Sequence, residues 1–441
     1  MKHLRIAFPL LLLCASLVAC SPGHNGSNEI AFLRDGHLWT IDPDGANAFD
    51  VAANSTPIVG YSWSPTHQIL VFRTLDADFA KTAAAKALVR NPTTQMAADA
   101  PGTINSIGVD GGSPIPLILS SPDILESNAW WNASGNRLLY REESVHAVPG
   151  PTTSFWWISQ NDQPNGIARK ALPTSYSMPS LGYDNMMAIG NIDQGIFTTT
   201  LAGTNEHFLV RGTLPGHPLP ASIERVLWQP GHQQPDILYA IVDTTQPRPF
   251  GGSTITVQLI LLDSAGHTTH VAACDCTQFA WSPNGMYILY STGSVYSILN
   301  LDGSIAYSFS SEQGSIPYWS PDGQFLLLDG MHTLILVQIA QRHQQVLLSD
   351  GSTSEGEQTA TTPVSSLLQP APNSPWAADS QHFLFLTRGR LQWQGKTLGK
   401  GLYTVTLDVH GQPQGTPALA DSGNDILAGW TYEDPNTSFL F

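Results

Sequence analysis

Sulfur and imidazole crowd together once in this chain, where His267, His270, Cys274 and Cys276 fall within ten residues. Such ligands suit zinc or copper. Strand geometry opposes a metal, because at about 3.3 Å per residue His270 and Cys274 stand roughly 13 Å apart unless the chain folds back. A disulfide between Cys274 and Cys276 is the better expectation, provided the chain turns at Asp275 to bring the two Cα atoms within bridging range. Two buried free thiols are the alternative. No metal and no cofactor are expected.

A second concentration of chemistry lies in residues 387–401, which hold Arg388, Arg390, Trp393, Lys396 and Lys400. An aromatic plate flanked by cations could meet an anionic ligand or stack on a glycan. The same residues also read as a solvated hairpin tip. Catalytic motifs are missing: the sequence has no Gly-x-Ser-x-Gly elbow, no His-Glu-x-x-His, no Walker loop, no Rossmann glycine fingerprint and no EF-hand loop.

The other two cysteines belong to the first residues. Lys2, His3 and Arg5 precede an apolar stretch from Ile6 to Ala19 that is too short for the about 20 residues a membrane-spanning helix needs. Leu17-Val18-Ala19-Cys20 resembles the bacterial lipobox, which implies cleavage before Cys20 and diacylglycerol on its sulfur. Residues 1–19 are then a lipoprotein signal peptide, 20–28 a lipidated cysteine with a flexible polar tether, and 29–441 the folded body. More than one acyl chain is what stable anchoring takes. The expected place is a cell membrane or envelope, on the extracytoplasmic side.

These groups must be carried by strands. Only 12% of the 441 residues are charged, while 38 Gly and 32 Pro punctuate short apolar runs rich in Val, Ile, Leu and aromatics, as half-buried strands joined by turns require. The net charge of −16 repels phosphate backbones, so nucleic acid is not an expected partner.

One phrase recurs: a Trp, a turn, then an apolar strand. It occurs at Trp63, Trp131, Trp228, Trp281, Trp319, Trp376 and Trp430. A second phrase follows, a strand ending in Asp or Asn, then Gly, then a last short strand, as in Leu38 to Gly45 and Tyr296 to Gly303. Together they describe a four-stranded meander, which cannot bury both faces alone and packs radially with its copies. The phrase Trp319-Ser320-Pro321-Asp322-Gly323 resembles the TolB-type, WD-like propeller repeat, also seen in the propellers of prolyl oligopeptidases, and the likeness runs from about Glu29 to Phe441. The fold class is therefore all-β, a single propeller of four-stranded blades. Residues 178–185 and 196–203 read as a degenerate copy without the Trp, which makes eight blades; without it there are seven. Ile30-Ala31-Phe32-Leu33 starts in mid-phrase and Trp430 to Phe441 supplies an opening, so one blade built from both ends should close the ring.

Several loops exceed what the repeat needs: 75–108 with an Ala-rich helical stretch at 80–88, 142–154, 244–254 and 387–401. In propellers of this family such loops open on one face, and loops on a rigid scaffold are where recognition usually sits. Residues 349–374, rich in Ser, Thr and Gln, read as a loose connection between blades. The chain is expected to be a monomeric, membrane-anchored binding or scaffolding lipoprotein that presents the propeller to a protein, a peptide or an envelope polymer. The alternative is a propeller enzyme of hydrolase or lyase type with its site at the central channel, marked by buried carboxylates and histidines converging on the inner strands.

Overall fold

A computed structural model describes residues 30–53, 57–66, 68–90, 100–132, 134–144, 152–159, 170–172, 179–191, 195–211, 221–247, 253–274, 276, 278–330, 332–349 and 374–431. The expected signal peptide, Cys20, the tether and nearly all of the connection at 349–374 lie outside these residues. Among them the architecture is a ring of eight four-stranded antiparallel blades, each running from an innermost to an outermost strand.

Blade two shows the pattern. Its strands Ile58–Trp63, Ile69–Leu75, Gly102–Gly108 and Ile115–Ile118 follow one another in sequence and in space. Trp63 ends the innermost strand, and the main-chain N–H of Ser64 then donates to Ile69 to close the turn. The seven tryptophans of the repeat are all buried. Each plate takes on the order of 150–250 Å2 out of water, so the tryptophans hold the seams between blades. Two of them also stitch neighbours through the indole N–H: Trp281 donates to the carbonyl of Leu227 at 3.3 Å and Trp376 to that of Tyr318 at 3.0 Å.

The turn after each Trp explains its own residues. In blade seven the hydroxyl of Ser320 donates to Asp322 at 2.6 Å and accepts the N–H of Phe325 at 2.9 Å. Gly323 follows at φ +69°, a left-handed angle that favours glycine. In blade six Asn284 replaces the Asp, and its amide donates to the carbonyl of Asp322 in the next blade at 2.7 Å. The substitution thus adds a donor that an Asp lacks.

The degenerate copy is blade four: Ser180–Leu181, Met186–Asn191, Gly195–Thr200 and His207–Arg211. The N–H of Gly182 bonds Met186 as that of Ser64 bonds Ile69, so Leu181 stands where the other blades carry Trp. A Cβ on Gly182 would run into the ring of Trp228. The plate from blade five therefore fills the space that blade four leaves.

Closure uses both ends of the chain. Ile30–Arg34, His37–Ile41 and Phe49–Asp50 form the outer three strands of blade one, and Ile426–Trp430 pairs with Ile30–Arg34 as its innermost strand. The closing strand is thus the one that leads into Trp430, and residues 432–441 lie outside the description. Blade eight has His382–Thr387, Gly401–Thr406 and Ala418–Asp421, with Trp376 bridged to Phe383 on the inner side.

Candidate functional site

Loops between second and third strands, and connections between blades, open on one face, which we call upper; the Trp turns open on the other. The long loop of blade two rises there. After Leu75 it forms a 3-10 turn, Phe79–Lys81, and a helix, Ala83–Arg90, two to three residues later than the Ala-rich stretch suggests. The hydroxyl of Thr82 accepts the N–H of Ala85 at 3.1 Å, which starts the helix there. Ala85 and Leu88 face down onto Val59, Leu75 and Ala100, while Lys81, Lys86 and Arg90 stay exposed.

The loop at 387–401 behaves differently from the sequence expectation. It makes a hairpin, Leu391–Trp393 with Lys396–Leu398, that pairs through Gln392 with Ser349 on the outermost strand of blade seven. Trp393 is only 1% exposed. Its ring stacks on Phe385 with centroids 6.0 Å apart and its indole N–H donates to Gly415. As an exposed plate between cations, Trp393 is therefore corrected: Leu391, Trp393 and Leu398 all turn inward to the seam between blades seven and eight, because hiding an indole outweighs displaying it. Arg388, Arg390 and Lys396 are exposed. Lys396 donates to Thr416, and Lys400 to Asn424.

Cys274 and Cys276 are joined as a disulfide with Cα atoms 5.0 Å apart. They pack partly buried against the seam between blades five and six. His270 is exposed, and His267 lies 3.0 Å from Asp263. No group of three or more His, Cys, Asp or Glu among the described residues could hold a metal ion.

Buried charge at the upper edge sits in three separate seams. Between blades two and three, Arg73 donates to the carbonyls of Ala100 and Glu126, while the carboxylate of Glu126 accepts the N–H of Gly102 at 3.0 Å. Burial pushes the Glu126 carboxyl up to about 7 against the pull of Gly102 and Arg73, with Glu142 adding to the rise. Between blades eight and one, Arg34 grips Asp425 at 2.7 Å and Asp421; burial raises Asp425 to about 7 although Arg34 opposes it. Between blades seven and eight, burial drives Asp329 well above the carboxylate range, helped by Glu312. Neither of its oxygens has a hydrogen-bond partner among the described residues. The four acids Glu126, Glu142, Asp329 and Asp425 do not meet at one point, and no histidine side chain joins them in the interactions described. Their sequence signal is a charge inside or ending an apolar run, as in Ile-Leu-Val-Phe-Arg73 and Phe-Leu-Leu-Leu-Asp329.

No family model and no curated protein sequence matches this chain. Solved structures similar in shape include a eukaryotic initiation factor, at 11% identity and TM-score 0.47 over 92% of this chain and 88% of that one. An oligogalacturonate lyase from Vibrio parahaemolyticus gives 8% and 0.44 over 70% and 82%. The C-terminal WD40 domain of Sif2 gives 9% and 0.43 over 79% and 81%. At such identities and scores the likenesses say nothing of activity or ligand.

Proposed function

We propose that this chain is a lipoprotein of the TolB-like propeller type, anchored through Cys20 outside the cytoplasm, whose upper face binds a protein, a peptide or an envelope polymer. The observation that carries the reading is that both described enlarged loops leave the ring on that face. One holds the helix Ala83–Arg90 over the innermost strand of blade two, and the other starts with the exposed pair Arg388 and Arg390. Blades fixed by packing tolerate extra length only in loops, so such loops enlarge a surface without disturbing the core. Cations scarce in an acidic protein make that surface selective by charge.

Two measurements test the proposal separately. Labelled fatty acid should mark the wild type and not Cys20→Ala; label retained by the variant removes the anchor from the proposal. Crosslinking in the native envelope, followed by mass spectrometry, should give the wild type a defined partner set. A variant lacking residues 83–90, and the double variant Arg388→Ser with Arg390→Ser, should each lose members of it. Full retention by both folded variants would move the binding face elsewhere.

A further inference from the structure

Two acids of blade three stand directly opposite each other in its ladder, Glu126 on the strand Ile124–Glu126 and Glu142 on the strand Arg137–Ser144. Both are buried. Residues opposed in register project to one face of the sheet, so the two carboxylates repel when both are ionised. Few other titratable groups surround them. From blade two, Arg73 donates to the main-chain carbonyl of Glu126, and its charge favours the ionised carboxylate. From the same strand as Glu142, the Tyr140 hydroxyl donates to Glu142 at 3.2 Å.

Glu126 also reaches the foot of the enlarged loop of blade two. Its carboxylate takes the N–H of Gly102 at 3.0 Å, and its main chain forms an antiparallel bridge with Ala100. The carbonyl of Ala100 accepts Arg73 at 3.1 Å, and its buried side chain packs beneath Ala85 and Leu88 of the helix Ala83–Arg90. The helix thus rests on a residue that blade three holds in place. One further acid lies at this foot. Asp76 accepts the N–H groups of Phe79 and Asp78 and the hydroxyl of Ser120; these bonds keep its carboxyl below the usual range, so it stays charged where Glu126 titrates.

We propose that Glu126 and Glu142 form a proton-operated latch under the helix of blade two: a proton on Glu126 lets the opposed pair hold Ala100 and Gly102 against blade three, and loss of that proton loosens the seat of the helix. The proposal deepens the upper-face reading above, because the helix is one of the two features assigned to binding there. Burial raises the Glu126 carboxyl to about 7, with Gly102 and Arg73 opposing and Glu142 adding to the rise. In the loosened state the carboxyl returns toward its ordinary value of 4.5. The latch is therefore tightest below that value, weakens as pH rises, and is weakest above about 7.

Hydrogen exchange of the mature chain, residues 20–441, tests this, with rates corrected for the pH dependence of free amides. Protection over residues 79–90 and 100–104 should fall about tenfold or more between about pH 5 and about pH 8. The blade-six strands Ile288–Thr292 and Val295–Leu299 should keep theirs. Glu126→Gln, whose amide oxygen still accepts Gly102 but cannot ionise, should hold protection constant across the range. Glu142→Gln removes the opposing charge and should make the fall smaller, which keeps the test open if Glu126→Gln does not fold. Protection that is flat with pH in the wild type, a fall undiminished in either variant, or an equal fall in blade six overturns the proposal. Exchange reads the helix with no partner present, so failure of the latch and failure of partner binding at the upper face are seen separately.

Discussion

The seam between blades two and three and the seam between blades seven and eight place an ionisable residue at the same point of the repeat. Arg73 and Asp329 each stand three residues beyond the partner of the seam Trp, Leu70 opposite Trp63 and Leu326 opposite Trp319. Both are buried, at 1% and 5% exposure. Arg73 donates from Nη1 to two main-chain carbonyls, and Glu126 beside it holds the N–H of Gly102. Asp329 stands between Ile316 and Leu334 in the sheet, and its charge adds to the rise that burial gives the Tyr318 hydroxyl. Its acidic neighbour Glu312 is committed to the N–H groups of His332 and Thr333 at 2.9 Å each. One position of one repeat thus hosts a charge that organises loops and an acid whose burial favours its neutral form. The surroundings decide which, because the same low dielectric rewards a matched group and penalises an unmatched one.

The comparison breaks most visibly if the matched group is removed. Arg73→Met should lower stability by about 3–5 kcal/mol, since two buried carbonyls lose their donor and the Glu126 carboxyl its nearest cation. A comparable loss of about 3–5 kcal/mol is expected for Trp393→Ala, where the seam is held by an aromatic plug instead of by charge. Denaturant unfolding of both variants checks this. A loss from Arg73→Met below 1 kcal/mol would mean that water replaces the guanidinium, and the two seams would no longer differ in kind.

Asp329→Asn should act in the opposite direction and less strongly, raising stability at neutral pH by about 1–3 kcal/mol, because the amide is neutral in both states whereas the buried carboxyl must take up a proton that the unfolded chain lacks. The sign follows from linkage. Burial raises the folded pKa of Asp329 above its unfolded value of about 3.9, so its contribution is fully present below that pH and is lost as pH rises. The gap between variant and wild type should open above about pH 4 and close beneath it. A gap that does not vary with pH would place an undetected partner on the carboxylate.

The seven copies of the Trp phrase are readable because each needs the same turn chemistry, and blade four is readable only as the degenerate copy at 178–185 and 196–203. Closure was readable from the half-phrase at Ile30. The match for Arg73 was not, because Ala100 and Glu126 lie 27 and 53 residues away and no local pattern ties a charge to a carbonyl in the next blade. Trp393 was misplaced for a different reason. The alternation Leu391-Gln392-Trp393-Gln394 is that of a half-buried strand, with Leu391 and Trp393 inside and the glutamines outside, whereas the flanking cations suggest an exposed tip. Period-two burial is the stronger signal when the two conflict.

The same alternation yields the smallest expected effect. If the hairpin is held to blades seven and eight by Leu391, Trp393 and Leu398, then its outward groups contribute almost nothing to folding. Lys396 is exposed and has one described bond, to the hydroxyl of Thr416; Arg388 and Arg390 are likewise exposed. Each of Lys396→Ala, Arg388→Ser and Arg390→Ser should therefore change stability by less than about 0.5 kcal/mol, as surface substitutions away from special features do. Thermal melts of the three beside Trp393→Ala give the contrast within one fifteen-residue loop. A loss above 1 kcal/mol from any of them would mean that polar edges dock the hairpin. With the losses small, these cations are available to a ligand without any debt to the fold, and partner binding can be assayed in the same variants free of unfolding.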